Sequence, residues 1–297
     1  MRQGGPWVEI RDLTIFVTVA KTGSVTKTAT QLGYVQSNVT ARIRHLETKL
    51  GTDLFHRLPR GMTLTPSGET LLGYAEQILH LCNEAEQAVQ NSETPSGTLR
   101  IGAMETTTAT RLPAILARYH EAYPDVEISL TTGPTEQLLE AVLRYDIEAA
   151  MVAGPVHHPH LEQVAVIQEE LVLISGPNST NLPSTNGPLT VLAFREGCSY
   201  RKRLDQYLDH VGIHSRKVIE LGTLDGILGC VAAGLGISMV PRTVIEQSHY
   251  PLRINEVPDN FGKVPTVVVR RSDTFQSPAL AKFLQTAAEV HGKSAVE

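Results

Sequence analysis

The chain has 297 residues, a formal net charge of -5, 41% hydrophobic and 19% charged residues. That length exceeds the roughly 100 to 200 residues of one domain, so two or more domains are expected. The balance excludes a disordered chain, and no window approaches the ~20 consecutive apolar residues that a membrane-spanning helix needs.

Cysteine usage and the N-terminus bound the compartment. Cys82, Cys198 and Cys230 are isolated and odd in number, which argues against a disulfide framework, offers no CxxC metal spacing and reads as reduced thiols. Met1–Glu9 lacks a basic segment followed by an apolar run, so no secretory signal is visible and a cytoplasmic address is expected.

In chain order, Leu13, Phe16, Val17 and Ala20 follow the i, i+3, i+4, i+7 rule and predict a short amphipathic helix near residues 11–21, stopped by Gly23. Ser24 suits the N-cap of a second helix with Val25, Ala29 and Leu32 inward, and Gly33 supplies the left-handed turn after it. A third helix carries Val39, Ile43, Leu46 and Leu50 inward and ends at Gly51. Two short helices around a glycine-bearing turn match helix-turn-helix geometry. Leu54–Thr65, with Pro59, Arg60 and Gly61 at its middle, predicts a wing hairpin, and Thr65-Pro66 a helix start. Between Lys21 and Arg60 seven cationic residues face two acidic ones, a local +5 that leaves -10 for the rest of the chain. A basic module on an acidic body fits a polyanion partner, as would a solvated face clustered by chance.

Leu71, Ala75, Ile78, Cys82, Ala85 and Val89 recur at spacings of four and three, the seam of a two-stranded coiled coil or of a helix packed on its own domain. The stretch 91–97, with Ser92, Thr94, Pro95, Ser96 and Gly97, reads as a hinge. Beyond it, strand-like runs at Leu99–Ala103, Val126–Thr131 and Ile147–Val152 alternate with helical stretches at Leu112–Tyr123 and Glu136–Tyr145. The alternation continues through Val164–Ile174, Thr190–Phe194, Leu204–Val211, Val218–Leu221, Ile227–Ala233, Ile237–Val240 and Val264–Val269 to a closing helix, Pro278–Val290. This predicts an open α/β arrangement, helices covering a mostly parallel sheet.

With Val39 and Ile43 inward, Gln36, Ser37 and Thr40 fall on the outer face of the third helix. Gln suits adenine, Ser and Thr donate or accept, and Thr offers a methyl to thymine, although an inert surface has the same look. Arg42, Arg44, Arg57 and Arg60 suit phosphates, which set affinity and register.

The stretch Leu13-x-x-Phe16, Gly23-Ser24, Ala29-x-x-Leu32, Gln36-Ser37-x-Val39-Thr40-x-x-Ile43-x-x-Leu46-Glu47-x-x-Leu50-Gly51, Leu54-Phe55-x-Arg57 and Leu64-Thr65-Pro66-x-Gly68 resembles the LysR-type transcriptional regulators. Gly234-Leu235-Gly236-Ile237-x-x-Val240-Pro241 is similar to a stretch late in that family's sensing domain. Asn38 and Ala41 depart from the family's usual residues, so base preferences do not carry over. The resemblance implies a winged helix-turn-helix over residues 1–65, with 1–9, Trp7 included, as a leader. It implies a linker helix over 66–91 that forms a homodimer and pairs into a homotetramer, then a hinge over 92–97. A two-lobed, periplasmic-binding-protein-like α/β effector domain follows over 98–297, with lobe I near 98–160 and 265–297 and lobe II near 161–264. Double-stranded DNA and a small-molecule effector are the implied partners, with no cofactor and no membrane. Gln36, Ser37, Asn38, Thr40, Arg42, Arg44, Arg57 and Arg60 are then the DNA-binding set.

In the family the ligand lies between the lobes, where helix N-termini suit an anionic group. Thr106, Thr107, Thr135, Cys198, Ser199, Tyr200 and Thr223 stand at such positions, where ordinary helix capping is the competing reading. Cys198, before a helix, also raises the alternative of a redox-responsive regulator. The peroxide-sensing members of the family resemble this loop, but their reactive cysteine would fall at Ser199, and Leu208 stands where their second cysteine would be. His157, His158 and His160, among prolines, fit a crossover loop better than a metal site. No Gly-x-Ser-x-Gly, P-loop or dinucleotide fingerprint is present: Gly97-x-x-x-x-Gly102 lacks the following lysine, and an enzyme is not expected.

Overall fold

A computed structural model describes residues 8–58, 61–89, 94–179, 189–214 and 216–290. The chain divides into two compact units, residues 1–91 and 92–297, each described separately below.

In the first unit α1 (Ile10–Thr22), α2 (Val25–Leu32) and α3 (Gln36–Leu50) surround a core of Leu13, Phe16, Val19, Ala29, Val39, Ile43 and Leu46. Gly23, Gly33 and Gly51 each adopt the left-handed conformation at a helix end, and Ser24 Oγ accepts from the Lys27 N–H at 3.4 Å, so the expected stops and cap form as read. Leu50, expected inward, is exposed because the chain turns away at Gly51 one residue later. Val8 packs on the core and Glu9 pairs with Arg42, so these two residues do not belong to a leader. Residues 1–7 and Trp7 lie outside the described residues.

The wing is an antiparallel pair, β1 (Phe55–Leu58) and β2 (Gly61–Leu64), with Phe55 opposite Leu64 and Arg57 opposite Met62. Residues 59–60, Arg60 included, lie outside the described residues. The Met62 N–H donates to Gly23 O at 2.9 Å, and any Cβ on Gly61 would fall 2.6 Å from that carbonyl oxygen, so the wing is docked on the α1–α2 turn. Thr65 Oγ1 donates to Asp53 O at 2.8 Å and accepts from the Gly68 N–H at 3.0 Å, capping α4 (Pro66–Val89). A Cβ on Gly68 would sit 2.2 Å from Leu54 O, which explains the Thr-Pro-x-Gly run. Along α4, Ala75 is fully buried, and Leu71, Leu72 and Leu79 pack on the unit's own core. The expected seam thus divides: Leu71 and Ala75 lie against the unit's own core, while its later members Ile78, Ala85 and Val89 stay exposed, as do Tyr74 and Leu81 outside that seam.

The second unit is built on β3 (Gly97–Ala103), β4 (Val126–Thr132), β5 (Ala149–Ala153), β6 (Leu161–Ser175), β7 (Leu189–Ala193), β8 (Arg216–Glu220), β9 (Ser238–Pro241), β10 (Arg253–Asn255) and β11 (Lys263–Arg271). Their main sheet runs β10-β6-β11-β5-β3-β4, with β9 also on β6 and a separate β7-β8 pair. Pairs among β3, β4 and β5 are parallel, as is β7-β8, but every pair made by β6 and β11 is antiparallel. The sheet is therefore mixed rather than mostly parallel. Strand β6 spans both lobes: its first part pairs with β11 and its last residues with β9 and β10, so β6 and β11 are the two crossovers.

One lobe carries α5 (Glu105–Thr110), α6 (Leu112–Ala122), α7 (Thr135–Leu143) and α12 (Pro278–Val290); the other carries α8 (Ser199–His210), α9 (Leu224–Ala232), α10 (Arg242–Glu246) and α11 (Asp259–Gly262). One core joins Leu138 and Val152 of the first lobe to Tyr200, Leu204 and Met239 of the second. Gly236 explains the late glycine motif: a Cβ there would lie 2.3 Å from Thr190 O, which accepts the Ile237 N–H at 3.0 Å and starts β9 beside β7. No helix among the described residues is long and apolar enough to cross a membrane.

Candidate nucleic-acid interface and ligand cleft

Gln36, Ser37 and Asn38 open α3 and are all exposed. Thr40 is half-buried, and its hydroxyl donates to Gln36 O at 3.0 Å, leaving its methyl and lone pairs for a partner. Val35, which pattern reading passed over, precedes them with 67% of its surface open, although apolar residues of that size are usually covered. Arg44 and Arg57 are exposed and line one shallow depression with Thr48 and Thr52. Arg42 differs: its guanidinium donates to Glu9 and to buried Asp12, each at 3.0 Å, so it is engaged inside the unit rather than offered outward.

Glu47 positions the wing. Its buried carboxylate takes the N–H groups of Leu54 and Phe55 on Oε1, at 3.1 and 3.4 Å, and Arg57 on Oε2 at 2.8 Å. The Leu-Glu pair in the sequence was the only signal for this role.

Between the lobes of the second unit lies a cavity of about 470 Å³. Of the seven residues expected there, Thr106, Thr135, Cys198 and Tyr200 line it. Thr107 is buried beside it without lining it, and Ser199 lines an adjoining groove together with His157 and His158. Thr223 caps α9, accepting from the Gly226 N–H at 3.2 Å, which is the ordinary capping alternative. Residues 105 to 110 form α5, so Thr106 and Thr107 stand in its first turn. Among the described residues no group of three or more metal-ligating side chains gathers.

Tyr200 is buried, and burial, followed by the nearby charge of Glu169, pushes its phenol pKa well up, so the hydroxyl keeps its proton. It stands near Thr106 and Thr266, whose buried Oγ1 atoms close no hydrogen bond of good geometry. Glu169, also buried, accepts both arms of Arg111 at 2.9 Å. Burial raises the Cys198 thiol, and the N–H groups of Arg201 and Tyr200 only partly oppose this, so a helix start does not make it a thiolate at neutral pH. Charge in the cavity runs opposite to the anion-seat expectation: Glu105, Glu136, Glu140 and Glu196 line it against Arg195 alone.

A winged three-helix unit followed by a two-lobed unit enclosing a cavity defines a ligand-responsive DNA-binding regulator. Residues 10–69 match the family described as "Bacterial regulatory helix-turn-helix protein, lysR family", and residues 92–292 match the LysR substrate binding domain. The chain belongs to the LysR family, and it is a transcriptional regulator with a DNA-binding helix-turn-helix and an effector-binding domain. It is 45% identical to the HTH-type transcriptional regulator GltR of Bacillus subtilis (strain 168), over 93% of this chain and 95% of that one. It is also 45% identical to the regulator SoxR of Arthrobacter sp. (strain TE1826), over 94% and 96%. Among solved structures, a full-length OxyR variant from Pseudomonas aeruginosa matches with a TM-score of 0.73 at 17% identity, over 96% of this chain and 95% of that one, a likeness of fold alone. Full-length CbnR in complex with its target DNA matches with a TM-score of 0.66 at 25% identity, over 95% and 100%.

Proposed function

We propose that α3 enters the major groove with Gln36, Ser37, Asn38 and Thr40 at base edges, while Arg44, Arg57 and Arg60 hold the phosphates. The observation that carries this reading is the exposed polar start of α3 beside a wing whose arginine is anchored through Glu47. Val35 adds an apolar contact suited to a thymine methyl. Arg42 contributes indirectly, by tying α3 to the start of α1. A homodimer forms along Tyr74, Ile78, Leu81 and Ala85, which keep the 4-3-4 spacing of a coiled-coil seam, and two dimers pair into a tetramer. CbnR, solved with its target DNA, supports the same use of the first unit here.

The effector occupies the cavity between lobes that resemble a periplasmic binding protein, lobe I over 98–160 and 265–297 and lobe II over 161–264. It shifts the balance between two lobe arrangements, and the linker helices carry that shift to paired half-sites. The protein acts in the cytoplasm and is not an enzyme.

Gln36→Ala is expected to cost about 1–3 kcal/mol of binding to its operator and to relax preference at one base position, whereas Arg57→Ala weakens binding to all sequences and lowers the salt slope by about one. Fluorescence anisotropy on operator and base-substituted duplexes separates the two. Equal affinity of both variants and wild type for every duplex would refute the assignment.

A further inference from the structure

We infer that the effector carries a protonated amine, received by the acidic wall of the interlobe cavity with Glu136 as its principal anchor; this rests on the reading of that cavity as the effector site.

Four observations lead there. The cavity is bounded by four carboxylates and one guanidinium. Glu105, Glu136 and Glu196 enter no ion pair among the described residues, while Glu140 reaches only Arg144, at 3.7 Å with both side chains mostly in water. Like charges gathered in a cleft repel one another, and an entering cation relieves that repulsion.

The helix starts that would attract an anion carry their own negative charge. Glu105 begins α5 and Glu136 is second in α7, so a full charge outweighs the roughly half-charge of each helix N-terminus.

Glu136 also reaches toward the opposing lobe: a Cβ on Gly197, which has φ +86°, would stand 3.2 Å from Glu136 Oε2, so this exposed carboxylate of one lobe lies close to the loop of the other. Finally, Thr106 Oγ1 sits in the same wall, on a residue 2% exposed, near the Tyr200 hydroxyl but in no hydrogen bond of good geometry. A buried hydroxyl in that state gains from a polar ligand atom. Arg195, exposed in the same lining, allows one carboxylate on the same ligand, so neutral amino acids and diamines both fit while dicarboxylates do not.

The test uses the full-length protein and matched probes of three to five carbons: α,ω-diamines such as 1,4-diaminobutane, ω-amino acids such as 4-aminobutanoate, and dicarboxylates such as butanedioate, each at about 10 mM against sodium chloride of equal ionic strength. Thermal unfolding is expected to rise by at least 2 °C with an amine-bearing probe and not with a dicarboxylate. Calorimetric affinity for that probe should fall at least fivefold in Glu136→Gln, an exposed and isosteric change, and again in Thr106→Val. Stabilisation by a dicarboxylate alone, lost in Thr106→Val, would overturn the amine while leaving the cavity as the effector site. No stabilisation by any probe, or binding indifferent to both substitutions, would overturn both readings.

Discussion

Glu169→Ala is expected to destabilise the second unit by about 3 kcal/mol, the lower end of the range for breaking a buried ion pair, because Arg111 keeps some contact with water. The pair is bidentate, and Glu169 lies on the crossover strand β6 opposite Val264 of β11. Losing the carboxylate leaves the Arg111 guanidinium without its partner at the start of α6. The double replacement Arg111→Met, Glu169→Leu removes both charges and should restore most of the loss, since an apolar pair of similar volume avoids the desolvation cost. Urea unfolding of the full chain measures each step. A single variant as stable as wild type would show that the pair contributes nothing net.

Glu47→Ala is expected to cost the first unit about 3 kcal/mol, since two buried backbone N–H groups and Arg57 lose a charged acceptor together. Glu47→Gln keeps an acceptor for the two N–H groups and should cost nearer 1 kcal/mol. Arg57→Ala should be milder still in stability, as the carboxylate retains its backbone donors, and harsher in DNA binding. That crossed pattern distinguishes a residue that positions the wing from one that meets a phosphate. A Glu47→Ala protein with unchanged unfolding midpoint would rule the role out.

The first unit was legible because its punctuation is local. Gly23, Gly33 and Gly51 adopt a conformation that other residues resist, and Ser24 satisfies an N–H three residues away, so each boundary is written at the boundary itself. What stayed hidden depends on distant partners. Arg42 and Arg44 look alike in the chain, and only the packing of α1 on α3 brings Asp12 to one of them. Strand direction is equally non-local: nothing within Lys263–Arg271 reveals that it runs antiparallel to both β5 and β6. The α4 pattern joined core and exposed positions in one stripe, because Ala75 serves the unit's own core while Ile78, three residues on, does not.

In the cavity, positions were more readable than chemistry. Thr106 and Thr135, singled out as hydroxyls after strands, line the cavity, whereas Thr223 caps α9. The acidic lining was not legible in the chain because Glu105, Glu136 and Glu196 lie up to 91 residues apart and come together only in the fold. Their convergence follows from the lobes facing each other.

Reading of a duplex by α3 and the wing is tested most directly by an anisotropy titration. Full-length protein is titrated onto the promoter duplex upstream of its own gene and onto a shuffled duplex of equal length, from 50 to 200 mM salt. The expected result is a preference of at least ~1,000-fold for the promoter at physiological salt, and a log-log salt slope that falls by about two in the double variant Arg44→Ala, Arg57→Ala. Equal affinity for both duplexes, with a slope unmoved by loss of the two arginines, would contradict it.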